Sequence, residues 1–197
     1  MSGISGIYGF LPNGEGKARI EKMNEALAHR GPDAEGIMSK KFIHLGHRRL
    51  KIIDPTDASN QPLTDRSGRY TIVFNGEILN YKELRASLAG YEFTTPGDAE
   101  VLLAGLIELG IRFLKKCNGS FAFSLWDNEK KELLLGRDRL GVKPLYYART
   151  NDHFVFASEL RAVLKSGLVQ GEMNGNALGD FLRYQTVHGA NTIVKGV

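Results

Sequence analysis

The amino-acid sequence predicts an α+β protein in which antiparallel strands form most of the core. The chain opens with a strand-like alternation over residues 4–8. A helical repeat of Ile20, Met23 and Leu27 follows it. After Gly119, four short apolar runs about ten residues apart are typical of strands in an antiparallel meander. The 197 residues, of which 42% are hydrophobic, suffice for one compact domain with one substantial core.

Composition and charge exclude several classes of function. The net charge of +4 comes from dispersed basic pairs without interleaved aromatic residues, so we expect no nucleic-acid partner. No apolar run is long enough to cross a membrane, and a single cysteine, Cys117, cannot form an intramolecular disulfide. His44 and His47 would point to opposite faces of one strand, so no metal site is predicted. Together these features favour a cytoplasmic protein.

The first ten residues place candidate chemistry at the amino terminus. They contain neither a charged region nor a long apolar region, so we expect no signal peptide. An initiator methionine before a residue as small as serine is normally removed, which would leave Ser2 first. Its α-amine, with an ordinary pKa near ~7.7–8.0, would then act as general base for its own hydroxyl. The alternative is that Ser2 is only an easily processed second residue.

The first helix is predicted to pack on the sheet and to stop in the run His29–Asp33, because Gly31 and Pro32 prevent its continuation. Residues 36–54 predict two strands joined near Lys40, the second extending to Asp54. Arg49 lies in the apolar part of this second strand, where a guanidinium needs a carboxylate or a ligand anion. Arg49 is therefore a candidate anchor for an acidic substrate, with a structural ion pair as the alternative.

Residues 70–74 form the clearest buried strand of the sequence, and the strand is predicted to stop at Asn75-Gly76-Glu77. The residues that follow predict a helix with Asn80 as N-cap and Glu83 as its capping-box partner. A turn between a strand and a helix would aim the Asn75 amide and a backbone N–H in the same direction. Two such hydrogen-bond donors could form an oxyanion hole.

Asp98 lies in the first turn of the next predicted helix, whose residues 101–109 are apolar almost all round and therefore buried on both sides. The helix dipole alone would explain an acid at this position. A substrate ammonium is the alternative partner of its carboxylate.

Residues 136–144 connect two of the later strands, and their charge and glycine content are typical of a solvated turn. A short helix is predicted at Glu159–Leu164, and a weaker helical pattern covers Leu178–Tyr184.

Eight motifs follow one another in a fixed order over residues 1–165. They are Met1-Ser2-Gly3-Ile4-Ser5-Gly6-Ile7, Arg30-Gly31-Pro32-Asp33, the run His47–Asp54, Gln61-Pro62-Leu63, Asn75-Gly76-Glu77-Ile78, Asp98-Ala99-Glu100, the run Gly136–Gly141 continuing through Pro144–Tyr147, and Ala157-Ser158-Glu159-Leu160. Together they resemble the glutaminase domain of class II glutamine amidotransferases, specifically that of glutamine-hydrolysing asparagine synthetase. The Arg-Gly-Pro-Asp form favours this branch over the glucosamine-6-phosphate and amidophosphoribosyl branches.

The resemblance implies a fold and a substrate. The fold is the four-layer αββα sandwich of the N-terminal nucleophile hydrolases, with two antiparallel sheets face to face and helices on both outer sides. The substrate is L-glutamine. Arg49 would bind its α-carboxylate beside the backbone of Ile52 and Ile53, and Glu77 and Asp98 would hold its α-ammonium.

The resemblance also implies a reaction. The first residue after methionine removal would attack the side-chain amide, release ammonia and form an acyl-enzyme that water resolves to glutamate. Asn75 and Gly76 would donate hydrogen bonds to the oxyanion.

Ser2 departs from the family pattern, which has cysteine at this position. A thiol is partly ionised at neutral pH and is the stronger nucleophile, so we expect weak or no hydrolysis with serine. Three explanations stay open: a replacement made to trap or silence the site, a natural homologue that has lost the glutaminase step, and a working serine nucleophile. The rival function is a catalytically silent glutamine-binding module.

The resemblance further implies a second domain, since asparagine synthetases carry a C-terminal synthetase domain that adenylates aspartate with ATP and Mg. Its Ser-Gly-Gly-type pyrophosphate loop is absent from this sequence. We therefore predict an amidotransferase domain at 1–170, without a cofactor of its own, and at 171–197 a partial extension or linker toward the synthetase domain. We expect that extension to be partly loose and one face of the domain to expose apolar side chains. A homodimer is left open.

Overall fold

The computed structural model describes residues 1–197 and contains nine strands and five α-helices. The strands are β1 (Gly3–Tyr8), β2 (Ala34–Ser39), β3 (Ile43–Arg49), β4 (Leu63–Thr64), β5 (Tyr70–Ile78), β6 (Gly119–Asp127), β7 (Glu132–Arg137), β8 (Tyr146–Arg149) and β9 (Phe154–Ala157). The helices are α1 (Glu15–Ala26), α2 (Tyr81–Ser87), α3 (Asp98–Leu109), α4 (Leu160–Lys165) and α5 (Gly175–Tyr184). None of these helices combines the length and the hydropathy that a membrane crossing requires.

The strands form two antiparallel sheets that pack face to face. One sheet has the order β2-β3-β1-β9-β8 and the other the order β4-β5-β6-β7. Side chains from both sheets, including Ile4, Val73 and Trp126, fill the space between them. Because successive strand residues point to opposite faces, Ile7 lies on the outer side of β1, where it packs in one core with Met23 of α1.

The second sheet is covered on its outer side by α2 and α3. Buried side chains of β5 and β6 share one core with Val101–Ala104 of α3, which explains why α3 is apolar almost all round. The layers are therefore α1 and α4, the five-stranded sheet, the four-stranded sheet, and α2 and α3. This arrangement confirms the predicted α+β class and the four-layer αββα sandwich.

The prediction of one meander after Gly119 was wrong. The β6-β7 hairpin belongs to the four-stranded sheet, whereas the β8-β9 hairpin belongs to the five-stranded sheet, where β9 pairs with β1. Residues 138–145 therefore pass from one sheet to the other. The spacing of apolar runs specifies strands, but it does not specify which sheet each strand joins.

Two local predictions also need correction. The strand β3 ends at Arg49, and residues 50–56 are irregular, so the predicted extension to Asp54 was wrong. Asn80 is the residue before α2, but its side chain makes no capping hydrogen bond to the helix. Its Oδ1 accepts from the Asn118 backbone N–H at 2.9 Å and its Nδ2 donates to the Lys116 carbonyl at 3.0 Å. The amide thus fixes the approach to β6 and does not close a capping box.

The helix α5 contacts the rest of the chain less than the other helices do. Among its residues only Ala177 is buried, and Phe181, Leu182 and Tyr184 are exposed. Asn174 precedes it, and the side chain of Asn174 accepts from the Ala177 backbone N–H at 3.4 Å. The domain boundary at residue 170 stays a prediction.

Candidate active site

One pocket at the end of the sandwich collects every residue that the sequence predicted for the site. Its walls come from the start of β1, the segment after β3, the middle of β5, the first turn of α3 and the loop before β8. The predicted residues among its lining are Ser2, Arg49, Ile52, Ile53, Asn75, Gly76, Glu77 and Asp98. The structure brings these residues together although they lie on separate elements, and their individual roles remain predictions.

Ser2 stands at the pocket end of β1. Its Oγ accepts a hydrogen bond from the Leu50 backbone N–H at 3.2 Å, and its carbonyl accepts from Arg30 Nε at 2.9 Å. Arg30 is in turn paired with Glu159 at 3.2 Å. Since β1 is hydrogen-bonded between β3 and β9, the start of this strand is held in one position beside the pocket.

The Arg-Gly-Pro-Asp motif is more than the helix stop that its residues predicted. While Arg30 holds the carbonyl of Ser2, the Asp33 carboxylate accepts from the Lys51 backbone N–H at 2.9 Å and fixes the segment after β3. A Cβ added to Gly31 would lie 2.3 Å from the Arg48 carbonyl carbon, so only glycine fits between these two segments.

Arg49 is a buried cation without a carboxylate partner. Only 6% of the residue is exposed. Its guanidinium donates to the Thr56 carbonyl at 2.5 Å, to Asn60 Oδ1 at 2.8 Å and to the Asp54 carbonyl, all of which are neutral acceptors. No salt bridge joins it to an acidic side chain, so the alternative of a structural ion pair was wrong. A buried positive charge without a salt-bridge partner is costly, and the pocket beside it suits an anionic group.

Two acids on other walls of the pocket also lack a charged partner. Asp98 at the start of α3 is 7% exposed, and its Oδ2 accepts from the Ile78 backbone N–H at 2.9 Å. Burial raises the pKa of Asp98 to about 6, and the charge of Glu77 adds to the rise. The hydrogen bonds at the start of α3 therefore do not stabilise the ionised form of Asp98 enough to offset its burial. No Lys or Arg forms a salt bridge with either acid, which leaves both free for a ligand cation.

Ionisation of Asp98 opposes folding of the empty protein. Because its pKa of about 6 lies above the ordinary 3.8, the folded state binds this proton more tightly than the unfolded state. The contribution of Asp98 to stability is thus greatest at acid pH and falls as the pH rises through about 6. The substitution Asp98→Asn is expected to raise the free energy of unfolding at pH 7 by roughly 1–3 kcal/mol. Denaturant unfolding at about pH 4 and pH 7 measures this, since the gain should vanish at the lower pH.

The matched control is Asp152→Asn, because Asp152 lies in an exposed turn between β8 and β9. Equal stability of Asp98→Asn and the parent protein at pH 7 would contradict the raised pKa of the Asp98 carboxyl.

Asn75 lies inside β5, and the predicted strand-to-helix turn at Asn75-Gly76 was wrong. The strand continues to Ile78 and pairs with β6 over its whole length. Asn75 is 1% exposed, and its Nδ2 is buried without a hydrogen-bond acceptor. An unsatisfied buried donor costs about 1–3 kcal/mol. Because Asn75 lines the pocket, its side-chain amide can donate a hydrogen bond to an oxygen of a bound molecule.

The backbone N–H of Gly76 is free by the geometry of the strand. Phe121, the residue opposite Gly76, directs its N–H and C=O to Asp138, so the Gly76–Phe121 pair is of the kind without mutual hydrogen bonds. The N–H of Gly76 therefore points to the other edge of β5, where β4 has already ended. Along this edge the Phe74 N–H donates to Gln61 Oε1 at 2.6 Å and the Ile78 N–H to Asp98.

On this edge of β5, the Gly76 N–H thus lies between the N–H groups of Phe74 and Ile78, both of which already donate to side-chain acceptors. A Cβ at this position would lie 2.4 Å from the Ser120 carbonyl oxygen, so glycine is required by the close approach of β6. An open strand edge, and not the predicted turn, leaves the Gly76 N–H beside the Asn75 amide in the pocket lining, and their use as a pair of oxyanion donors stays a prediction.

Sequence reasoning missed Lys143 and Gln61, which also line the pocket. The prediction of a solvated turn at residues 136–144 holds for the exposed Leu140 and Val142 but was wrong for Asp138 and Lys143, which are buried. The Asp138 carboxylate accepts from the backbone N–H groups of Phe121, Val142 and Lys143. Burial alone would raise the pKa of Asp138, but these backbone donors outweigh it and lower the pKa. The signal in the sequence was an Asp followed three residues later by Gly141, whose φ of 63° turns the chain around the carboxylate.

Residues 1–197 match the protein family described as glutamine amidotransferase domain. The chain belongs to this family. Among its relatives, asparagine synthetase [glutamine-hydrolyzing] 1 of Bacillus subtilis (strain 168) is 37% identical over 98% of this chain and 31% of its own length. The putative asparagine synthetase [glutamine-hydrolyzing] 2 of Methanocaldococcus jannaschii is 40% identical over 83% of this chain and 35% of its own length. The amidotransferase chain thus spans about a third of these relatives.

The fold of this amidotransferase domain also occurs in a solved structure. Glutamine phosphoribosylpyrophosphate amidotransferase from B. subtilis, complexed with ADP and GMP, superposes with a TM-score of 0.70 over 84% of this chain and 43% of that chain, at 23% identity. This likeness shows the sandwich fold. The sequence relatives confirm the predicted resemblance to glutamine-hydrolysing asparagine synthetases.

Proposed function

We propose that the pocket binds L-glutamine by both of its charged ends and hydrolyses its side-chain amide to glutamate and ammonia. The observation that carries the proposal is the charge arrangement: buried Arg49 and the acids Glu77 and Asp98 line one pocket, and none of them has a charged partner. Arg49 would bind the α-carboxylate, with the segment of Ile52 and Ile53 beside it. The two acids would hold the α-ammonium.

The reaction follows from the donors around residue 2. Removal of Met1 gives Ser2 a free α-amine, which accepts the hydroxyl proton as Oγ attacks the amide carbon of glutamine. The carbonyl oxygen becomes an oxyanion that accepts from Asn75 Nδ2 and the Gly76 N–H. Collapse of this intermediate breaks the C–N bond, and the ammonium form of the α-amine returns the proton to the departing ammonia. Water then repeats the attack on the acyl-enzyme and releases glutamate.

The substitution Asn75→Ala tests the reaction. It should lower kcat for ammonia release by about 100- to 1000-fold while the Kd for glutamine changes little, because the amide acts on the oxyanion and not on the charged ends of the substrate. The measurement is made in the Ser2→Cys background, where turnover is highest, with calorimetry for binding. The control is Asn13→Ala in an exposed loop. An unchanged kcat would remove Asn75 from the oxyanion site, and absence of glutamine binding to the parent chain would overturn the proposal.

A second candidate function is a silent glutamine-binding module. The observation that favours it is Ser2, which offers a weaker nucleophile than the thiol that the family resemblance implies. Binding requires only Arg49, Glu77 and Asp98, all of which are in place.

We also propose that the ammonia serves a synthetase domain that makes asparagine from aspartate with ATP and Mg, for which residues 171–197 begin the connection. Support comes from the names of the relatives, from the third of their length that this chain spans, and from the exposed apolar side chains of α5. A longer gene product should form asparagine from aspartate, ATP and glutamine. If it forms none, this part of the proposal fails and the glutaminase part stands.

A further inference from the structure

Lys143 is a buried lysine without a salt-bridge partner. It is 7% exposed, and no carboxylate forms a salt bridge with it. Its Nζ lies 3.6 Å from the sulfur of Met1, the residue whose removal the proposed function requires. Lysine is rarely buried without a partner, since desolvation of the charge is costly. The position of Lys143 therefore calls for an explanation that the substrate contacts do not provide.

The backbone around Lys143 holds this side chain in place. The Asp138 carboxylate accepts from the Lys143 N–H at 3.0 Å, and the Lys143 carbonyl accepts from Arg137 Nε at 2.6 Å. Lys143 is thus fixed at both of its peptide groups by the loop that crosses from one sheet to the other. These two bonds fix the backbone from which the Lys143 side chain reaches the pocket.

Charged groups face the chain start from four segments. Arg30 approaches from the turn after α1 and Lys143 from the loop before β8, whereas Glu77 approaches from β5 and Asp33 from the segment before β2. Ser2, the next residue, lines the same pocket as Lys143. For the α-amine of Met1, burial lowers the pKa most, and the charges of Arg30 and Lys143 lower it further. Glu77 and Asp33 act in the opposite direction, but the net result is a pKa below the ordinary value for an amino terminus.

We propose that Lys143 is a positioning residue whose charge keeps the α-amine of residue 2 in its neutral, proton-accepting form. The inference rests on the proposed function, because only a hydrolase needs this amine as a base. Arg30 already donates to the carbonyl of Ser2, so its charge cannot be varied without moving the strand. Lys143 makes no such contact with Ser2, so its charge can be removed while the contacts that hold Ser2 stay in place.

The substitution Lys143→Met tests the inference, because methionine keeps the side-chain length and removes the charge. The apparent pKa in the pH profile of kcat/KM for ammonia release should rise by about 0.5 to 1 unit, since this profile reports the essential base of the free enzyme. At about pH 6.5 the substitution should lower kcat/KM by roughly 3- to 10-fold, and at about pH 9 it should change it little. Lys143→Arg should restore the parent profile.

A second readout does not depend on turnover. The rate of α-amine acetylation by acetic anhydride, followed by mass spectrometry on protein that has lost Met1, gives the amine titration directly. The midpoint of the amine titration should shift to higher pH in Lys143→Met. It should stay unchanged in the control Lys22→Met, because Lys22 is exposed on α1. A titration and a pH profile that both coincide with those of the parent would overturn the inference, as would an equal loss of rate at every pH. If the parent and its Ser2→Cys form bind glutamine and release no ammonia, the proposed hydrolase itself fails, whereas the labelling result still reports on Lys143.

Discussion

Replacing Ser2 by cysteine is expected to raise ammonia release from glutamine by about 100-fold or more. The serine hydroxyl must lose its proton to the α-amine while the bond to carbon forms, whereas a thiol is partly ionised near neutral pH. The substitution changes one atom and leaves the hydrogen bond from the Leu50 N–H in reach. The glutamine-dependent rate is measured by coupled ammonia detection on protein whose loss of Met1 has been verified by mass spectrometry. Ser2→Ala serves as the inactive reference.

Each outcome of this substitution separates the explanations for Ser2. A large gain shows that the site around residue 2 is intact and that the nucleophile alone limits the chain. Substantial turnover in the unchanged protein identifies a working serine. If glutamine binds and neither form releases ammonia, the silent binding module is the better description of the domain.

Replacing Arg49 by alanine is expected to weaken glutamine binding by roughly 30- to 5000-fold, because loss of one partner of a buried charge pair costs about 2–5 kcal/mol. Arg49 lines the pocket, and its guanidinium has only neutral acceptors in the protein. Calorimetric titration with glutamine measures the effect. The glutamine affinity of Arg49→Lys should fall between those of the parent protein and Arg49→Ala, since lysine keeps the charge and loses the planar fork that matches a carboxylate.

The matched control is Arg48→Ala. Arg48 is the neighbour of Arg49 on β3 and points to the opposite face, where it pairs with Glu35 at 2.7 Å. Thermal unfolding of each variant separates loss of affinity from loss of the segment 54–60 that Arg49 also holds. A folded Arg49→Ala protein with unchanged affinity would remove Arg49 as the carboxylate anchor.

The sequence predicted the composition of the site better than its geometry. Arg49 was singled out by the cost of burying a charge, Asn75 by its place after a buried strand and Asp98 by its place in a helix first turn, and all three line one pocket. Periodicity located most strands and helices because it depends on neighbours along the chain.

Sheet membership depends on contacts that are distant in the chain, which is why the β8-β9 hairpin was assigned to the wrong neighbours. The Asn-Gly dipeptide is frequent in turns, and only the pairing partner β6 shows that here it continues a strand. Lys143 was missed for a related reason. Its burial arises where a loop crosses between two sheets, and no local pattern of charge or hydropathy reports that crossing.

The central position of β1 has a practical consequence for work with the protein. The strands β3 and β9 flank β1, and Met1 and Ser2 both line the pocket, so a peptide that precedes Ser2 starts at the pocket. A purification handle fused ahead of Met1 would keep the nitrogen of Ser2 in a peptide bond, which removes the α-amine that the proposed reaction uses as its base. Handles and labels are better attached after Val197, which does not line the pocket.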